Sequence, residues 1–378
     1  MSGIGNGLIG PLEAGLVQVV LRRRSLFRFT GAAVNSFSHY LERRVARDFD
    51  VAGALLLPSA STALDLILEG LDLPPNATIA TLPLGWAAIY SAVLRRGLTL
   101  DFLRYQSLFE VDLEHLERQL ARGGLALLVV PHLLGRAVRN IEDVARVSRQ
   151  YGVPLVEDVA QSFGTTIGGR LVGSFGTAAY TSFNHHKIMS AGDGGLAIFK
   201  DAALFERAWR AHDQGCMPGG NTRRVDPLSF EPGTSLRVNE LTAAVLVGQY
   251  ARVYQIRSRI SRIHAEVARQ LCARGLRVLA PQPGDLPFTA LFERPPQMDY
   301  PSLWDSGWHV FSRIPYAKEI SARLDQADRA LVERQLRAVA SVGCGFIDKY
   351  FATPVGIELS TGADELPACV AAVLQEVR

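Results

Sequence analysis

"PLVEDVAQSFG", Pro154–Gly164, opens as a short apolar run and closes on two acids, Glu157 and Asp158, with Gln161 three residues further on. A short apolar run of this kind reads as a buried strand, and polar side chains at the carboxyl ends of strands in α/β sheets face the ligand crevice. Asp158 has a second reading, as the N-cap of a following helix. The rest of the chain has to decide between them.

The same pattern recurs on both sides. "VAGALLL" (Val51–Leu57), "TIATL" (Thr78–Leu82), "LTLDFL" (Leu98–Leu103), "LALLVV" (Leu125–Val130), "PLVED" (Pro154–Asp158), "AAYTSF" (Ala178–Phe183) and "GLAIF" (Gly195–Phe199) read as strands. Several are apolar throughout, as expected when helices cover both faces of a sheet. Helical patterns at Ser61–Gly70, Trp86–Arg96, Ile141–Tyr151 and Leu204–His212 lie between them. The alternation predicts an α/β domain with a largely parallel sheet.

The first thirty or so residues show little periodicity and read as an arm. One long helix is predicted from about Val238 to Gly275, ending where Gly275, Pro281, Pro283 and Pro287 cluster. At 378 residues the chain exceeds what one core usually fills. The expected division is an N-terminal arm and large domain over residues 1–240, then the connecting helix and a small α+β domain over 241–378.

Composition narrows the function. A formal net charge of +3 is too small to argue for nucleic acid. The densest basic run, Arg22-Arg23-Arg24, reads as a solvated turn or a subunit contact, with a polyanion site as the lesser alternative. Cys216, Cys272, Cys344 and Cys369 are widely spaced with no CxxC pair, which gives neither a zinc frame nor a disulfide scaffold and suits a reducing, cytoplasmic setting. The apolar stretch "GLVQVVL" is too short to span a bilayer.

The second stretch that bears chemistry is "SFNHHKIMSAGDGG", Ser182–Gly195. His185 and His186 are adjacent, so on regular structure they point different ways, and no carboxylate or cysteine stands at ligand spacing to complete a metal site. Lys187 taken alone reads as a solvated lysine, yet it follows a buried strand and so lies on a strand-end loop. An acid at one strand end, a lysine at another and a glycine-rich turn behind it form the set that a pyridoxal phosphate (PLP) enzyme needs. The lysine holds the cofactor as a Schiff base, and the carboxylate keeps the ring nitrogen protonated so that the ring accepts electrons.

"VEDVAQSFG" followed by "GSFGTAAYTSFNHHKIMSAGDGGLAIFKD" resembles the DegT/DnrJ/EryC1/StrS family of fold-type-I PLP-dependent sugar aminotransferases. "STALDLIL", "LPLGWAAIYSAVLRRGLTLDFL", "VVPHLLGRAVRNIEDVARVSRQYGVPLVED" and "LRVNELTAAVLVGQ" extend the resemblance over most of the chain, and the C-terminal part matches loosely. The resemblance implies a seven-stranded, mostly parallel sheet, a smaller α+β domain, PLP as cofactor and a homodimer with shared active sites. It assigns Lys187 as the Schiff-base lysine and proton carrier, Asp158 as partner of the ring nitrogen and Gln161 as donor to the ring oxygen. Ala60, Ser61 and Ser182 would hold the phosphate, the first two at a helix start where free N–H groups favour an anion. Trp86 would stack on the ring; its other reading is a partly buried core tryptophan.

Three departures from the family pattern stand out. Its Gly-Thr phosphate turn is Ala60-Ser61 here. Its asparagine and tyrosine that serve the neighbouring subunit's cofactor are Ser235 and Leu236, with Arg237 retained. "SLWDSGWHVFSRIPY", with Trp304, Trp308, Phe311 and Tyr316, replaces a more polar segment and reads either as a pocket for a less polar substrate or as small-domain core. The expected reaction is transfer of an amino group from an amino-acid donor, glutamate or glutamine by analogy, to a keto or aldehyde acceptor. A PLP-dependent elimination, decarboxylation or replacement is the alternative, and a PLP fold that has lost catalysis is a third.

Overall fold

The computed structural model describes residues 8–29, 36–219, 222–225, 232–293 and 339–342. Seven strands form the central sheet: β1 (Gly53–Leu57), β2 (Thr78–Thr81), β3 (Thr99–Phe102), β4 (Leu125–Pro131), β5 (Leu155–Asp158), β6 (Ala178–Ser182) and β7 (Gly195–Phe199). Their spatial order is β1-β7-β6-β5-β4-β2-β3. Only β7 runs against its neighbours; every other described pairing in this sheet is parallel. The strand ends therefore gather along one edge, with the N-terminus of β7 joining them.

Apolar runs make these strands because both faces are covered. All five residues of β1 and of β7 are buried. Nine helices are described: α1 (Pro11–Arg23), α2 (Phe37–Asp48), α3 (Ala60–Leu71), α4 (Ala87–Arg95), α5 (Leu113–Arg122), α6 (Ile141–Gln150), α7 (Ala202–His212), α8 (Glu240–Ala251) and α9 (Val253–Ala273). On one face, Leu64 and Ile67 of α3, Tyr90 and Val93 of α4 and Leu204 of α7 pack on Leu55, Val129 and Val156. On the other, Leu41 of α2, Leu116 of α5, Val144 of α6 and Leu246 of α8 pack on Leu56, Leu128 and Leu155. Side chains alternate along a strand, so Asp158 shares the α3–α4 face with Val156, and Glu157 points to the α6–α8 face.

Two expectations are corrected. The N-terminal arm contains a helix, α1, with Pro11 at its first position and Glu13 accepting the Gly10 N–H at 2.8 Å. Periodicity is weak there because α1 buries a charge: Glu13 is fully buried and ion-paired with Arg252 at 2.5 Å. The single long helix is two helices that part at Arg252, whose N–H turns back to the Gln249 carbonyl. The Arg252 guanidinium also donates to the Leu8 carbonyl at 2.9 Å, so the break and the seat of α1 are one feature. Gly275 ends α9 in the left-handed region, φ +79°.

Of the expected small domain, Ala290–Glu293 pairs antiparallel with Val339–Val342. Trp304, Trp308, Phe311 and Tyr316 lie outside the described residues, as do Cys344 and Cys369. Among the described residues no helix is long and apolar enough to cross a membrane.

Candidate active site

The edge where the parallel strands end collects the expected residues. Asp158 closes β5 and is 6% exposed. Its backbone is tied on both sides: the His132 N–H donates to the Asp158 carbonyl at 2.9 Å, and the Val159 N–H donates to the Tyr180 carbonyl at 2.9 Å. The carboxylate Oδ1 accepts the Ala160 N–H at 2.9 Å. That contact has the form of a local cap, but the chain after β5 turns without entering a described helix, so the N-cap reading fails.

Burial pushes the Asp158 carboxyl above the ordinary carboxylate range. The Ala160 N–H, the Tyr180 phenol, the Lys187 ammonium and His132 pull it back, in that order. A buried carboxylate that feels a lysine across two strand ends is poised for a cationic partner.

Lys187 sits on the loop after β6. Gln161, Ser182 and Lys187 line one narrow cavity, with Ala160, Phe163 and Phe288 among its walls. The loop is held closed by Phe183 N–H to Gly194 carbonyl, 2.8 Å, and His185 N–H to Gly192 carbonyl, 3.0 Å. Gln249 of α8, fully buried, clamps it: its amide accepts from Ser190 N–H and donates to Ser190 carbonyl, both at 2.7 Å. The rings of His185 and His186 lie with centroids 3.7 Å apart, and among the described residues no group of three or more potential metal ligands occurs.

Gln161 is oriented by its own side-chain oxygen, which accepts the Leu134 N–H at 3.1 Å, leaving the NH₂ group as its donor. Ser182 Oγ accepts the Asn184 N–H at 3.3 Å. Ser59 caps α3 by accepting the Thr62 N–H at 3.1 Å, so the first-turn N–H groups of Ala60 and Ser61 make no hydrogen bond among the described residues. Gly195 is what lets β7 approach this turn. A Cβ there would lie 2.2 Å from the Ser59 carbonyl carbon and 2.5 Å from the Ala60 nitrogen. Trp86 stands at the N-cap of α4 and is 60% exposed, which removes its core reading and leaves its ring face open.

Ser235 does not join this cavity. It is exposed and bridges Asp213, while Arg237 pairs with the buried Asp213 carboxylate and lies over the Phe27 ring. Sequence reasoning passed over three groups: Gln249, Tyr180 and His132. His132 is 1% exposed; its Nδ1 accepts the Val138 N–H at 2.9 Å, which leaves Nε2–H to donate to Glu157 at 3.1 Å. Glu157 in turn accepts the Gly173, Phe175 and Gly176 N–H groups, fixing the loop that leads into β6. Its place beside Asp158 in "VED" was the available signal.

A helix start with free N–H groups, a buried carboxylate and a strand-end lysine on the same edge are a donor set whose chemistry fits PLP. The profile of the DegT/DnrJ/EryC1/StrS aminotransferase family matches residues 16–292. The chain is 28% identical over 251 residues to 3-amino-5-hydroxybenzoate synthase of Amycolatopsis mediterranei, covering 66% of this chain and 60% of the relative. It is 31% identical over 256 residues to L-glutamine:2-deoxy-scyllo-inosose aminotransferase of Streptoalloteichus tenebrarius, covering 64% and 59%. The match thus spans about three fifths of the length of these curated relatives. The PLP form of Spr1654, a proposed sugar aminotransferase of Streptococcus pneumoniae, superposes with a TM-score of 0.75 at 16% identity over 98% of this chain and 97% of that one, a likeness of fold.

Proposed function

The chain belongs to the DegT/DnrJ/EryC1/StrS aminotransferase family, and from that premise we propose that it is a PLP-dependent aminotransferase acting on a keto or aldehyde acceptor of the sugar or cyclitol kind. The observation that carries this reading is the meeting of Asp158, Gln161, Ser182 and Lys187 on one edge of the sheet, beside the open first turn of α3. The similarity to L-glutamine:2-deoxy-scyllo-inosose aminotransferase supports the acceptor class.

Bound PLP supplies the electron sink that makes a substrate hydrogen acidic. Asp158 holds the proton on the ring nitrogen through an ion pair. Gln161 donates its NH₂ to the ring oxygen. The Ala60 and Ser61 N–H groups, with the Ser61 and Ser182 hydroxyls, bind the phosphate. Trp86 covers one ring face. With PLP bound, Lys187 Nζ would be the group that takes the proton from the substrate carbon and hands it back, the same amine serving the donor half and the acceptor half.

A homodimer belongs to this reading, with Ser235 reaching the partner's cofactor. The exposed Leu26 and Phe27 support it, because they lie beside Arg237 and Glu240 at the surface that carries Ser235. The division at residues 240/241 and a cytoplasmic setting belong to the same proposal. Borohydride treatment of the PLP-loaded protein followed by peptide mass mapping tests the assignment. The label is expected on Lys187 and absent from Lys187→Ala. A label elsewhere, or none, overturns it.

A further inference from the structure

Tyr180 stands in the middle of β6, directly opposite Asp158 in the parallel register with β5. Residues so paired leave the sheet on the same face. Its ring is 1% exposed, and its hydroxyl makes no hydrogen bond of regular geometry in the structure. A phenol buried that deeply ordinarily donates to something. The acceptor it faces is the Asp158 carboxylate.

The other polar groups around the pair have partners of their own. Asp158 Oδ1 takes the Ala160 N–H. The Tyr90 hydroxyl, from α4, donates to the Pro83 carbonyl at 2.9 Å. His132 has both ring nitrogens engaged, with Val138 and Glu157. Lys187 approaches from the loop after β6 and contributes charge.

We propose that Tyr180 is a positioning residue for Asp158: its O–H donates to the carboxylate and holds it ionised and oriented where the ring nitrogen of PLP meets it. This rests on the PLP reading above. Burial and the neighbouring Asp158 charge hold the phenol protonated well beyond its ordinary range, so the donor persists at any working pH. The phenol thereby offsets part of the cost of keeping a carboxylate charged inside the sheet.

The test compares wild type with Tyr180→Phe, which keeps the ring and removes only the oxygen. Carbon-13 labelled aspartate carboxyls are titrated by NMR in the apoprotein, with Asp158→Asn assigning the signal. PLP affinity is measured by absorbance, and melting temperature serves as the packing control. The expected result is an Asp158 carboxyl that titrates at higher pH in Tyr180→Phe, PLP binding weakened about tenfold and a nearly unchanged melting temperature. An unchanged Asp158 titration overturns the proposal, whether or not stability falls. Failure of the wild type to bind PLP would sink the cofactor reading, while the apoprotein titration would still decide the role of Tyr180.

Discussion

Asp158 and Lys187 lie at the ends of neighbouring strands, and the first is costly to keep charged. Burial raises its carboxyl above the ordinary range. The folded apoprotein therefore binds that proton more tightly than the unfolded chain does. Its contribution to stability is present below the ordinary carboxylate pKa and is lost as pH rises through the folded value. Asp158→Asn is expected to leave the apoprotein more stable than wild type at pH 8, with the gap in melting temperature closing toward pH 4. In the loaded enzyme the same change should lower turnover about a hundredfold, because the ring nitrogen loses its buried counter-ion. Melting curves against pH, read beside turnover, check both halves. A wild-type advantage in apoprotein stability at pH 8 would contradict the account.

The elements do the positioning, and the contacts that set them differ in how far the sequence shows them. The seven strands are legible as apolar runs because helices cover both faces of the sheet. The strand-end placement of Asp158 and Lys187 follows from the same runs. Weak periodicity hid α1, whose buried Glu13 is satisfied by an arginine far along the chain. The break at Arg252 was hidden for the same reason, since it depends on a contact with α1 and not on a local glycine or proline. Gln249 and Tyr180 look like ordinary helix and strand residues until the fold brings them to the Lys187 loop and to Asp158. Gly195 is a further case, a glycine required by close approach at a backbone conformation open to any residue. Gly195→Ala drives a methyl group into the Ser59 carbonyl and should cost about 1–3 kcal/mol of stability. It should also weaken binding of PLP and of inorganic phosphate alike, measured by denaturant unfolding and by ligand titration. Unchanged phosphate binding would detach the α3 turn from the site.

At the scale of the whole molecule, three imidazoles, His212 and His264 buried and His39 half-buried, set the acid limit. Burial lowers His212 to about 3, and His39 and His264 to about 4, from an ordinary 6.5. Arg28 adds to the effect at His39 and His212, and Arg136 does so at His264. Between about pH 6.5 and 4 the unfolded chain takes up protons at these sites that the folded protein refuses, so stability falls as pH drops through that window. Denaturant midpoints should decrease from pH 7 to pH 5, and less steeply in His212→Gln. A flat wild-type profile would contradict the assignment of these side chains as neutral in the folded protein. The most direct test of the central claim is the visible absorption spectrum of the PLP-loaded protein before and after L-glutamate or L-glutamine, with Lys187→Ala beside it. The account predicts that either donor abolishes the wild-type cofactor band with release of one equivalent of keto acid, and that Lys187→Ala shows no such change. A band that persists with every amino donor while an amino acid is consumed would contradict transamination and leave elimination, decarboxylation or replacement as the reaction.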